Sequence, residues 1–393
     1  MLLPFEIIGH IVSVLLSFDN SPLTLACQLI SRASVTPHDG GIFSDIISAF
    51  SSLTENVACL EWGETKNLYI RFGTQSPHLC FAGHVDVVPS GPESYWMFPP
   101  FQPTHLNGWI YGRGVADMKG AIGCFLYSLW NHVLQTPRKG SYSILLTSDE
   151  EGSGLDGIQK MVPWLQEKQE KIDHIIIGEP TGSAVGEVLQ IGRRGSITGT
   201  LTCQGLQGHI AYPDLCDNPI PRFIQCLHEL IMTPLDEGDE NFEPSHFSII
   251  GLEPSALAMN VSPSYAKAQF GIRFNPHQNF DSIHHHIYHM CTKHDSFPYT
   301  VDLTVHGSSF LTEDASWIKC VSDAMYKGTG IIPKHTTRGG TTDGRFLHVL
   351  APVLEIGMPE TTIHQVNERV RVTDFQLLSS IYTHILKHYQ EIY

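Results

Sequence analysis

Five short clusters hold the residues whose types and spacing could do chemistry. They are His84-Val85-Asp86, Asp117 within GRGVADMKG, Ser148-Asp149-Glu150-Glu151, Gly178-Glu179-Pro180 and Ile363-His364. Residues two apart on an extended segment face the same way, so Asp86 is placed to hold the second ring nitrogen of His84. Taken alone, such a triplet is also an ordinary pair of surface polar residues. Asp117, between small and apolar residues, suits a tight loop presenting one carboxylate, or simply an aspartate capping a helix. Adjacent carboxylates repel, and in a buried site one is driven neutral unless a cation is present. With a metal, one of Glu150 and Glu151 can ligate while the other stays free as a general base. A solvated acidic loop is the alternative, disfavoured by the apolar run ILLT that leads into it. Two histidines and three carboxylates exceed the needs of one zinc and suit two ions sharing a bridging carboxylate.

The segments around these clusters say how they are positioned. LCFAGHVDVVP, YSILLTSDEE and HIIIGEP are continuous apolar runs that end in His84 and Asp86, in Asp149 to Glu151, and in Glu179. Runs of this kind predict buried strands of a largely parallel sheet with helices between them. Functional groups in such sheets lie just past the carboxyl ends of the strands, so these three clusters converge on one rim. From about Leu23 to Leu53 the spacing is helical, broken by PHDGG at 37–41. Around 195–307 the character changes: SITGTLTCQG, SYAKAQFGIRF and YTVDLTVHG alternate, with helical stretches at 219–232 and 281–295. That pattern predicts an antiparallel sheet backed by two helices. HVLAPVLEIGM at 348–358 returns to the first pattern, and a helix at 373–391 closes the chain. The parse is an α/β catalytic domain over 1–194 and 308–393, with an inserted α+β domain over 195–307.

Composition limits the function. The chain has 393 residues, enough for two cores, and a formal net charge of -16 that repels nucleic acid and anionic membrane surfaces. An anionic substrate would then need local arginines, since exposed charges beyond roughly 10 Å are screened. Nine scattered cysteines with no Cys-x-x-Cys exclude a disulfide framework and a structural zinc site, and fit a reduced cytoplasm. The apolar start, Met1 to Phe18, is interrupted by Glu6 and His10 and is too short to span a bilayer. It reads as part of a first helix or an added N-terminal segment. His284-His285-His286, with His289 and His294, resembles a metal tract. Consecutive helical residues point in different directions, so the tract reads as a solvated helix face.

The ordered set GHVDVVP, GRGVADMKG, TSDEEGSG, GEP, GRRGS, GHIAYP, GGTTDGRF and TIHQVNE resembles the succinyl-diaminopimelate desuccinylases. These sit within a larger group of two-zinc aminoacylases, deacetylases and carboxypeptidases. The resemblance covers nearly the whole chain from about Leu23. It implies two zinc ions per chain, with cobalt able to substitute at one site. His84, Asp117 and Glu179 would hold one ion, and Asp117, Glu151 and His364 the other, with Asp117 bridging. Glu150 would be the general acid/base and Asp86 the partner of His84. The peptide after Asp117 would be cis. Arg193, Arg273 and Thr341 would grip the carboxylates of an anionic N-acyl amino acid, with Ser196, Tyr212 and Asn260 nearby. A homodimer would form through the inserted domain, His209 completing the partner's site.

One position departs from the pattern. Four residues before His364 the desuccinylases have an Asn that contacts substrate; here Glu360 stands there. That keeps a second acyl substrate in play, as in acetylornithine deacetylases or general aminoacylases. An inactive homologue acting as a binding protein is the reading from another class. It would be signalled by loss of a ligand or of the base, and each of those residues is present.

Overall fold

The apolar runs that lead into His84, Glu150 and Glu179 are each flanked by polar turns, and the chain buries each as a strand. The structure is a computed structural model and describes residues 16, 21–135, 140–253, 258–293 and 299–392. Most of the apolar start and His294 lie outside the described residues. By internal contacts the chain divides into two units: 1–189, 315–334 and 355–393 in the first, 190–314 and 335–354 in the second.

Five strands of an eight-stranded sheet lie wholly in the first unit. Their order is Val57–Trp62, Thr65–Phe72, Ser141–Thr147, His78–His84, His174–Ile177. The other three, Val188–Gln190, Lys334–Thr336 and Val353–Glu355, each contain a point where the chain passes between units. His78–His84 runs parallel to both its neighbours, with His84 level with Thr147. Thr65–Phe72 and Val57–Trp62 form an antiparallel hairpin at the edge. The sheet is therefore parallel at its centre, where three strands end together in the candidate ligands. The strand expected from His348 begins only at Val353. Pro352 precedes it, and a proline nitrogen cannot donate into a ladder.

The expected helical stretch near the start becomes two helices, Pro22–Ile30 and Ile42–Phe50, separated at the PHDGG turn. The helix Lys119–Gln135 packs against Pro22–Ile30 and the closing helix Val372–Ile392. Gly123 allows close approach: a Cβ there would stand 2.7 Å from the Cα of Ala26. Phe81 stacks on Phe125 at 4.0 Å, and Tyr382 meets both rings edge-on while donating to the Ile356 carbonyl at 2.7 Å. Below the strand ends lies Met118, fully buried. Glycines 83 and 178, immediately before His84 and Glu179, leave it room. A Cβ on Gly178 would stand 2.7 Å from both Met118 Cε and Phe81 Cζ.

In the second unit His246–Glu253, Tyr265–Phe274, Gly195–Gln204 and Tyr299–Gly307 form a four-stranded antiparallel sheet in that order. Its inward residues, among them Ile197, Leu201, Ala268, Phe270 and Ile272, form one core with Phe223, Leu227, Leu230, Ile283 and Ile287. The latter come from the helices Ile220–Met232 and Phe280–Thr292. Strand alternation and helix spacing in the sequence predicted both layers. On the second helix His285 and His289 are exposed and His286 is half-buried.

The packing of Met118 is testable. Gly178→Ala forces Met118 and Phe81 aside, and overpacking of this kind costs typically about 1–3 kcal/mol. The thermal midpoint should fall, and adding Met118→Ala should recover part of the loss. A double variant no more stable than Gly178→Ala would place the conflict elsewhere.

Candidate metal centre

Parallel strands bring the clusters together because His84 ends one strand, Thr147 ends the next, and Ile177 leads into Gly178-Glu179. Asp117 arrives from the loop before Lys119–Gln135, and the peptide Asp117–Met118 is cis, as the resemblance implies. His364 arrives from the loop after the turn Glu360–Thr362, with φ +59.

His84 Nδ1 lies 2.9 Å from the backbone carbonyl oxygen of Asp86. A carbonyl only accepts, so the neutral ring carries its proton on Nδ1 and directs the lone pair of Nε2 outward. That lone pair faces two carboxylates, Asp117 Oδ1 at 3.1 Å and Glu179 Oε1 at 3.7 Å. His364 Nε2 lies 3.4 Å from Asp117 Oδ2 and 2.9 Å from Glu151 Oε1. The two oxygens of Asp117 are thus divided between the two imidazoles, as a bridging ligand requires. Donors about 2.0–2.2 Å from a tetrahedral first-row ion stand roughly 3.3 Å apart, so these spacings suit shared ions.

The electrostatics agree. Burial would lower the pKa of His84, but Asp117, Glu179 and Glu150 outweigh it and raise the ring well above its usual value. Hydrogen bonds to Asp117 and Glu151 push His364 up to about 10. Glu179 is raised well above the carboxylate range by burial, then by the charges of Asp117 and Glu150. A pocket that draws protons onto its imidazoles and one of its carboxylates is short of positive charge, which divalent ions supply. The donor atoms of His84, Glu150 and Glu179, and those of His84, Asp117 and Glu151, lie within 4.8 Å of one another. By distance alone Glu150 could therefore ligate as well as act as a base.

Asp86 is fully buried, but its part is broader than the sequence suggests. Its carboxylate stands 3.6 Å from His84 Nδ1, farther than its own backbone oxygen. Its two oxygens accept the backbone N–H groups of Glu150 at 3.3 Å and Glu151 at 3.1 Å. It therefore sets the direction of both acidic residues. Lys119, fully buried, was not singled out in the sequence. Burial pulls it down to about 7, and its ammonium donates to the Arg32 carbonyl at 2.7 Å, tying a helix start to the N-terminal segment. A lysine amid the small and apolar residues of ADMKGAIG was the available signal.

The remaining candidates lie in the second unit, in three groups. Arg193 is buried, its guanidinium 3.3 Å from the Gly340 carbonyl in the loop that carries Thr341. Ser196 and Arg273 are cross-strand partners, and Arg273 Nη1 donates to Ser196 Oγ at 2.5 Å. His209, Tyr212 and Asn260 gather around a two-stranded ladder in which Ile210 N–H donates to the Asn260 carbonyl at 3.1 Å. All three are exposed.

Comparison with known proteins adds three findings. Residues 80–388 match the model of peptidase family M20/M25/M40. A succinyl-diaminopimelate desuccinylase of Alkalilimnicola ehrlichii is 40% identical over 368 residues, covering 93% of this chain and 98% of that protein. The same enzyme of Halorhodospira halophila is 40% identical over 94% of this chain and 98% of its own. Among solved structures, an M20 family metallo-carboxypeptidase of Sulfolobus solfataricus superposes with a TM-score of 0.74 at 16% identity. It covers 94% of this chain and 99% of its own. A dinuclear metal-binding peptidase of Bacillus subtilis gives 0.68 at 12%, over 93% of this chain and 96% of its own. At these identities the structures show the shared fold.

Protein stripped with a chelator and dialysed against zinc is expected to hold two ions per chain. His364→Ala should hold one, because His84, Asp117 and Glu179 stay intact. Metal analysis giving two ions in that variant would remove His364 from the ligand set.

Proposed function

The chain belongs to peptidase family M20/M25/M40, and from that membership we propose a two-metal amide hydrolase that acts on N-succinyl-LL-2,6-diaminopimelate. The products are succinate and LL-diaminopimelate. The observation that carries the hydrolase is the division of Asp117 between His84 and His364 at the strand ends. Support for the acyl group comes from 40% identity to desuccinylases over 93% of the chain. Zinc suits a set of two imidazoles and carboxylates, with cobalt able to replace it at one site. His84, Asp117 and Glu179 would hold one ion, and Asp117, Glu151 and His364 the other.

Two such ions would lower the pKa of a water molecule and stabilise negative charge on the amide oxygen. Glu150, aimed by the bond from its N–H to Asp86, takes the proton of the attacking water. As the water oxygen bonds to the carbonyl carbon and the C–N bond breaks, Glu150 returns that proton to the leaving nitrogen. Arg193, Arg273 and Thr341 grip the substrate carboxylates, with Ser196, Tyr212 and Asn260 beside them. Burial and the charge of Arg194 lower the pKa of Arg273, so an anion there gains an incompletely compensated cation. Free thiols at all nine cysteines support a cytoplasmic setting. Among the described residues no helix is long and apolar enough to cross a membrane.

The second unit, together with the expectation of an inserted domain over 195–307, supports a homodimer in which His209 serves the partner's site. His209 Nδ1 accepts the Ala211 N–H at 3.1 Å, so the neutral ring carries its proton on Nε2. That exposed N–H is a donor available to a second chain. One observation favours a different acyl group. Glu360, exposed, begins the turn before His364, where a carboxylate repels an anionic substrate unless it meets an amino group.

Two experiments test this reading. Glu150→Ala should keep both ions and lose about 10²–10⁴ in turnover, and His209→Ala should lose about 10²–10³. Mixed dimers of the two dead chains contain one site with both residues intact, so activity should return on subunit exchange. Continued inactivity in verified mixed dimers would confine His209 to its own chain or to no role. Separately, Arg273→Ala should weaken desuccinylation by about 1.5–3 kcal/mol in kcat/KM and hydrolysis of a neutral amide far less. If Glu360→Asn improves desuccinylation, the natural substrate carries another acyl group.

A further inference from the structure

Glu368 ends the TIHQVNE motif, four residues after His364, and nothing in the reaction described above uses it. It is 1% exposed. The strand Arg369–Arg371 pairs with Trp109–Tyr111, and the Gly112 N–H extends that ladder to the Glu368 carbonyl at 3.0 Å. The backbone thereby holds Glu368 against the loop that leads to Asp117. Its side chain closes on that loop. Oε2 accepts Arg113 Nη1 at 2.8 Å and the Gly114 N–H at 2.9 Å. Oε1 accepts the Ala116 N–H at 2.8 Å and the Asp117 N–H at 3.3 Å. One carboxylate thus gathers the Arg113 guanidinium and the N–H groups of Gly114, Ala116 and Asp117. Arg113 reaches back along the other strand of the clamp, toward the Gln365 carbonyl at 3.3 Å.

His364 and Asn367 both have left-handed backbones, φ +59 and +61. Residues other than glycine hold that conformation only where their surroundings impose it. The Asn367 side chain accepts the Met97 N–H at 2.6 Å, and Glu368 supplies the second anchor of the same loop.

We propose that Glu368 is a positioning residue that sets the separation of Asp117 and His364, and so the affinity of the ion they would share with Glu151. The inference rests on the two-metal reading of the site. A bare loop carrying Asp117 and a strained loop carrying His364 have no covalent link nearer than the rest of the fold. Through Glu368 they become one rigid piece, and the 3.4 Å between His364 Nε2 and Asp117 Oδ2 is built in before an ion arrives. Residues that support a ligand in this way typically change metal affinity about 10–100-fold when replaced.

The test uses Glu368→Gln and Glu368→Asp in the full chain, with zinc affinity read by competition against a zinc-binding dye. Glutamine keeps the size but turns an amide NH2 toward loop donors; aspartate keeps the charge but falls short by one methylene. Each variant should lose at least about 10-fold in affinity for one ion and keep the other. A lower thermal midpoint with wild-type affinity for both ions would reduce Glu368 to fold support and overturn the proposal. Should the glutamine variant fail to fold, the aspartate variant decides by the same readout. Wild type that takes fewer than two ions counts against the two-metal reading instead. The proposal is then judged by a crystal structure of Glu368→Gln or Glu368→Asp, where an unchanged Asp117–His364 separation overturns it.

Discussion

At the strand ends of the first unit an imidazole lone pair is turned toward carboxylates. In its neutral form the His84 ring gives its one N–H to the Asp86 carbonyl, which leaves Nε2 facing Asp117 and Glu179 across 3.1 and 3.7 Å. Lone pair against carboxylate is repulsive, and Glu150 and Glu151 bring further negative charge to the same rim. Neutralising such a site needs either extra protons or a cation of higher charge. The spacing of the donors favours the cation, because it is the spacing of ligands around an ion and is divided evenly by the two oxygens of Asp117.

The rest of the first unit keeps those groups from relaxing apart. Met118 sits beneath Asp117 in space left by Gly83 and Gly178, so the residue beside that carboxylate is packed against the strands that carry His84 and Glu179. Asp86 binds the N–H groups of Glu150 and Glu151. Glu368 binds the loop before Asp117. Each of these supports is buried and aimed at backbone rather than at the ligand side chains. Fixing backbone leaves the ligand atoms free to meet an ion while their origins stay constant.

The second unit answers a different requirement. A chain of net charge -16 that takes an anionic substrate must present cations locally. Arg273 donates to the Ser196 hydroxyl, a neutral partner that orients a guanidinium without cancelling its charge. A carboxylate partner would have ended that availability. Arg222, paired bidentately with Asp217, illustrates the contrast in the same unit.

Residue order by itself determined the layers of this protein and the ends at which its chemistry gathers. Short continuous apolar runs bounded by turn residues pointed to buried strands, alternation along 195–204 and 265–274 to a half-exposed sheet, and charged residues that end an apolar run to its exit. Most candidate ligands were legible for the same reason, since His84, Glu150, Glu151 and Glu179 stand at such exits and Asp117 in a glycine-bounded loop, whereas His364 was legible only through its motif. What sequence could not display were relations between distant backbones. Glu368 looks like one acid beside an arginine, and its partners at 113–117 lie some 250 residues earlier. The Asp86 carboxylate looked like a partner for His84, whereas its shorter bonds go to a turn 64 residues later. Lys119 gave no sign that its ammonium would reach the Arg32 carbonyl. Hydrogen bonds to main-chain groups carry almost no residue signature at the main-chain end, because every residue but proline offers the same N–H and C=O. Only the folded chain decides which of them meet.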